Sequence, residues 1–103
     1  MRSVMSTEDR QAAQTRLNDL LTIVRGMPAQ KDQLARLLEE AEALERAIKA
    51  FHLEGIRFRI YNVDRIVQHP PVPLPVEAPA IVADVRKHLE AAGFHTRSHQ
   101  SPV

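Results

Sequence analysis

The stretch Gly55-Ile56-Arg57-Phe58-Arg59-Ile60-Tyr61-Asn62-Val63-Asp64-Arg65-Ile66-Val67-Gln68 decides the fold class. Ile56, Phe58 and Ile60 alternate with Arg57, Arg59 and Tyr61, which gives one apolar and one polar face. That is the pattern of a half-buried strand. The alternation breaks at Asn62-Val63-Asp64. This triplet reads either as a turn, with residues 65–68 returning as a second strand, or as a bulge in one longer strand.

On the N-terminal side the spacing changes to that of helices. Ala13, Leu17, Leu20, Leu21 and Val24 fall on one helical face. Ser6 or Thr7 can cap that helix, Glu8 and Asp9 suit the positive end of its dipole, and Gly26 stops it after Arg25. Pro28 suits the first turn of a second helix reaching about Leu53. Its apolar positions Leu34, Leu37, Ala41, Leu44, Ile48 and Phe51 step by alternating threes and fours, the seam of a heptad pattern. Asp32–Arg36, Glu42–Arg46 and Glu45–Lys49 are i,i+4 pairs on its outer face. A linker this short returns the second helix antiparallel. At ~1.5 Å per residue, helices of about 28 and 40 Å leave an overhang of roughly two turns, bearing Ile48, Phe51 and Leu53, on which the second half can dock. Gly55 is expected to end the helix, with Ile56 folding back on Phe51 in a Schellman contact.

On the C-terminal side, residues 69–79 hold five prolines and read as an extended linker. A third helix is predicted over 79–92, burying Ile81, Val82, Val85, Leu89 and Ala92. Gly93 should stop it, with Phe94 folding back on Leu89. Residues 94–98 read as a last strand and 99–103 as a loose tail. The expected class is therefore α+β: an N-terminal antiparallel helical hairpin (6–54), then a small sheet of two or three strands with one further helix, in one domain.

Composition narrows the function. The chain has 103 residues, 14 basic and 13 acidic side chains, no cysteine, and only four aromatic residues, Phe51, Phe58, Tyr61 and Phe94. There is no global field for nucleic acid, no thiolate chemistry, and no apolar run near the ~20 residues of a membrane span. The opening residues carry no secretory pattern, so a cytoplasmic location is expected. All three glycines fall at expected helix ends, which leaves none for a phosphate loop.

Sites follow from the same reading. His88, His95 and His99 crowd the C-terminus, but on an extended segment His95 and His99 lie about 13 Å apart, too far to share a metal without a turn. No HExxH motif occurs, and no glutamate has a histidine three residues on. No metal and no cofactor is expected. Glu39, Glu40, Glu42 and Glu45 read as a solvated helix face. No nucleophile has a base and an orienter beside it, so no catalytic residue is assigned. An enzyme would need a cleft using His52, Tyr61 and His88.

What stands out is the apolar seam. It points to a non-catalytic protein–protein interaction or assembly module acting through the helical hairpin. A second copy would complete a four-helix bundle across a two-fold axis, and a partner helix would serve as well. Leu17, Leu20, Val24, Leu34 and Leu37 would supply the burial, and the small Ala41 would allow close approach. The turn end of the hairpin should be the least covered by its own chain. If the third helix and the sheet cover the seam, a monomer results. The alternative is a small nucleic-acid-associated regulator. Arg57 and Arg59 would hold phosphates, Tyr61 would stack a base, and Arg86 and Lys87 would extend the patch.

Overall fold

The computed structural model describes residues 7–94. Four helices account for most of them: α1 (Thr7–Arg25), α2 (Ala35–Lys49), α3 (Leu53–Gln68) and α4 (Glu77–Ala91), with one 3-10 turn at Pro28–Gln30. There is no strand among the described residues, so the α+β expectation is replaced by an all-helical bundle.

The correction centres on residues 53–68. Ile56, Ile60, Val63 and Val67 step by four, three and four, and all four are buried. A strand would have placed Phe58 inside beside Ile56 and Ile60. The helix turns it outward, and Phe58 is 56% exposed. Neither the turn nor the bulge proposed at 62–64 exists, since the helix runs straight through those residues. The strand expected at 94–98 is lost at its start, because Phe94 closes the turn after α4; residues 95–98 and the tail histidines lie outside the described residues.

The second helix is shorter than its seam suggested. After the 3-10 turn the chain reaches regular helix only at Ala35, behind Leu34, which offers no capping side chain. The helix stops at Lys49 through a Schellman motif one turn earlier than expected. His52 N–H donates to Ala47 O at 3.0 Å and Phe51 N–H to Ile48 O at 3.2 Å. The left-handed residue of this motif is Phe51, with φ 56°. A side chain with a Cβ adopts that region at a cost of about 1–2 kcal/mol. Gly55 is not the stop. It sits in the first turn of α3, where its N–H donates to Nδ1 of His52, the N-cap residue, at 2.8 Å. A Cβ at Gly55 would come within 2.6 Å of that nitrogen, so the imidazole cap requires glycine there. The same Schellman pattern closes α4, this time with glycine at the left-handed position: Gly93 has φ 101° and Phe94 N–H donates to Leu89 O at 2.9 Å.

The helices form a ring. α1 packs most extensively on α4, α2 on α3, and the ring is completed by lighter contacts of α1 with α2 and α3 with α4. Cross-links between helices fix the alternating directions. Arg10, near the start of α1, reaches Ile48 O near the end of α2 at 3.4 Å. Arg59 of α3 reaches back to Glu40 of α2 at 2.9 Å, and Arg86 of α4 to Asp64 of α3 at 3.5 Å. Arg16 of α1 meets Asp84 of α4 at 2.9 Å. One pole of the bundle therefore gathers Arg10, Phe51 and Phe94. The Arg10 guanidinium lies 4.2 Å from the Phe51 ring centre, and the Phe51 and Phe94 rings are 5.9 Å apart. The core runs through all four helices, with Val72 and Leu74 of the proline-rich connection packed on its edge.

Candidate interaction site

The six seam residues do not form an open surface. Leu17, Leu20, Val24, Leu34, Leu37 and Ala41 are all buried within this one chain, because α3 and α4 occupy the place assigned to a partner. The overhang offered as a docking stub is not a helical extension. Ile48 is core, Phe51 is the left-handed turn residue, and Leu53 begins α3.

The hairpin seam stays open at its turn. Gly26 N–H donates to Thr22 O and Ile23 O, and Met27 N–H to Val24 O, which tightens the end of α1. The chain then spends the 3-10 turn and residues 31–34 before α2 becomes regular. This detour leaves a cleft of about 200 Å³ between the end of α1 and the start of α2. Val24, Met27, Pro28, Leu34 and Leu38 supply its apolar lining, and Arg25 and Lys31 add positive charge. Arg25 is held by Glu42 at 2.8 Å, whereas Lys31 is exposed. Cofactor and drug-sized ligand pockets occupy roughly 300–1,000 Å³, so this cleft has the size of a side chain. Val24 and Leu34 were found from the periodicity. Met27, Lys31 and Leu38 were not, because they lie off the seam, beside the turn. Leu38, apolar next to the seam residue Leu37, was the one available signal.

The strongest electrostatic feature is Glu40, which the sequence placed on a solvated face. It is the single buried charged residue among those described. Its carboxylate accepts from Arg59 at 2.9 Å, Asn62 at 3.1 Å and Arg36 at 3.3 Å. Burial by itself pushes this carboxyl up. The hydrogen bonds from Arg59 and Asn62, the Arg59 charge and the bond from Arg36 outweigh it, and the group titrates below its ordinary range. This is a clamp between α2 and α3, with no reacting partner in place. Of the three surface pairs expected on α2, Glu45–Lys49 forms at 3.9 Å. Arg36 turns instead to Glu40, and Glu42 to Arg25.

The residues of the nucleic-acid alternative are dispersed by the helix. Arg57 and Tyr61 share a side at i,i+4, whereas Arg59 points to α2. Arg59 is tied to Glu40, Arg86 to Asp64, and Arg57 approaches Glu54 at 3.8 Å. Lys87 is exposed on α4. A phosphate would have to displace three carboxylates. His52 spends its Nδ1 on the α3 cap, and His88 lies in the last turn of α4. Among the described residues no group of His, Asp and Glu is arranged to hold a metal ion, and no helix is long and apolar enough to cross a membrane. No protein-family model, curated protein or solved structure matches the chain.

Proposed function

We propose that the chain is a non-catalytic protein–protein interaction module acting through the turn end of its α1–α2 hairpin. The observation that carries this reading is the apolar, side-chain-sized cleft walled by Val24, Met27, Leu34 and Leu38. The partner it suits is a helix presenting one apolar side chain with a carboxylate nearby. The side chain fills the cleft and excludes water, and the carboxylate meets Lys31 at the rim. Burying one such side chain contributes about 1.5–3 kcal/mol, which by itself supports a weak, exchangeable contact.

Site-specific photocrosslinking in cells tests it. A photoreactive residue at Met27 should give a protein adduct. Leu38→Glu should abolish that adduct; Leu38 is partly buried against the edge of the core, so some loss of melting temperature is expected, and retained helicity at the assay temperature shows that the variant is folded. A probe at Thr15 on the exposed side of α1 should give none. If the Met27 probe yields no adduct, or Leu38→Glu leaves it intact, the cleft is not an interaction site.

A further inference from the structure

The outward face of α3 has its own periodicity. Glu54, Phe58, Tyr61 and Arg65 step by four, three and four, on the side away from Ile56, Ile60, Val63 and Val67. Phe58 is 56% exposed, and Leu53 at the same end of the helix is 59% exposed. With Phe51 and Val76 they are the large apolar groups exposed among the described residues, and Phe58 keeps its outer side open although the Arg59 guanidinium lies 5.0 Å from its ring centre. Glu54 is exposed, and Arg57 approaches it loosely at 3.8 Å. The Arg65 guanidinium lies over the Tyr61 ring at 5.9 Å, and Arg65 too is exposed.

The order acid, aromatic, aromatic, base is self-complementary when reversed. We infer that this face of α3 pairs antiparallel with α3 of a second copy of the chain, across a two-fold axis between Phe58 and Tyr61. In that register Glu54 faces Arg65 of the second copy, and Phe58 faces Tyr61 of the second copy. Each contact occurs twice, as an isologous interface requires. The four-three-four spacing supplies the alternating layers of two antiparallel helices. A parallel pair would set Glu54 against Glu54 and Arg65 against Arg65, so charge selects the antiparallel arrangement. One face of a 16-residue helix is smaller than a standard protein interface, so the dimer is weak and concentration-dependent.

This surface is separate from the hairpin cleft, and the two are tested separately. Sedimentation across a concentration series reaching the millimolar range should show wild-type mass rising from monomer to dimer. Glu54→Arg and Arg65→Glu each turn two attractions into two repulsions. Each alone should weaken the dimer at least about tenfold. The double variant Glu54→Arg/Arg65→Glu should return to near wild-type association, and Phe58→Asp should remain monomeric. All of these positions are exposed; the two reversals oppose the dipole of α3 and should lower melting slightly, and a retained cooperative melt above the assay temperature confirms that the variants fold. A wild-type chain that stays monomeric throughout overturns the inference. So does a dimer indifferent to the single reversals, or a double variant that fails to recover. If Leu38→Glu dissolves the dimer and the α3 variants do not, self-pairing runs through the cleft; the α3 assignment then falls and the interaction reading stands.

Discussion

Removing Arg59 should cost more stability than removing the charge of Glu40, although the two share one ion pair. The asymmetry comes from burial. The Glu40 side chain is 5% exposed, against 36% for Arg59 and 67% for Arg36. Arg59→Met leaves a carboxylate inside the α2–α3 interface with Asn62 and Arg36 as its remaining donors. Stranding a buried charge costs about 3–5 kcal/mol when nothing else holds it. With two donors left, about 2–3 kcal/mol is the expected loss. Glu40→Gln keeps an acceptor oxygen of the same shape, and the cations it releases are already wet. It keeps the acceptor for Arg59 and Asn62 without the negative charge and puts an NH2 where an oxygen accepted from the exposed Arg36, a loss of about 1 kcal/mol. In the double variant the carboxylate is gone, so losing Arg59 has little further effect, and the cycle should show a coupling of at least about 1 kcal/mol. Urea unfolding of the four proteins measures this. The carboxyl is lowered when folded, so its stabilisation is fully present above its ordinary value of 4.5 and is lost as pH falls through the folded value. The wild-type advantage over Glu40→Gln should therefore shrink as the solution is acidified below that value. If Glu40→Gln costs more than Arg59→Met, or the two losses simply add, the clamp has been misread.

Substitutions at two further positions test the fold. Phe51→Gly and Phe51→Ala both remove the ring, but only glycine is at ease at φ 56°. The glycine variant should be the more stable by about 1 kcal/mol, the reverse of the order inside a helix. Thermal melts of the pair read this, and an alanine variant at least as stable would contradict the left-handed turn. Leu37→Asp, which an open seam would make a test of assembly, should instead unfold the chain, since Leu37 is wholly buried. Far-ultraviolet circular dichroism distinguishes the outcomes, and a folded variant would place Leu37 outside the core.

The helical faces of α1, α2 and α4 were legible because each carries an apolar period long enough to have one interpretation. Ala13 to Val24, Leu34 to Ile48 and Ile81 to Ala92 are all core. Residues 56–61 misled because six residues of strict alternation satisfy a strand. Extended to Val67, the same residues satisfy a helix with the spacing four, three, four. Phe58 separates the two readings, apolar yet on the outer face, and a rule that puts apolar residues inside cannot place it. Gly55 resembled a stop because glycine usually is one; its actual reason, room for the His52 imidazole, depends on a neighbour's rotamer. Nothing local marks Phe51 as left-handed. Reading α3 as sheet also left the turn end of the seam short of cover within its own chain, which is why core residues were assigned to a partner. The turn end, expected to be least covered, is where the cleft lies.

The pairing of α1 with α4 bears on how the molecule comes apart. The most extensive helix contact joins the two helices farthest apart in sequence, so the chain must close its longest loop before it gains its largest reward. The α2–α3 pair, joined through a three-residue turn and clamped at Glu40, needs no such closure and can form early. Opening should run the other way. Neither outer helix can fray alone, because each is the other's main support, and their amides should exchange with solvent together, ahead of those in the inner pair.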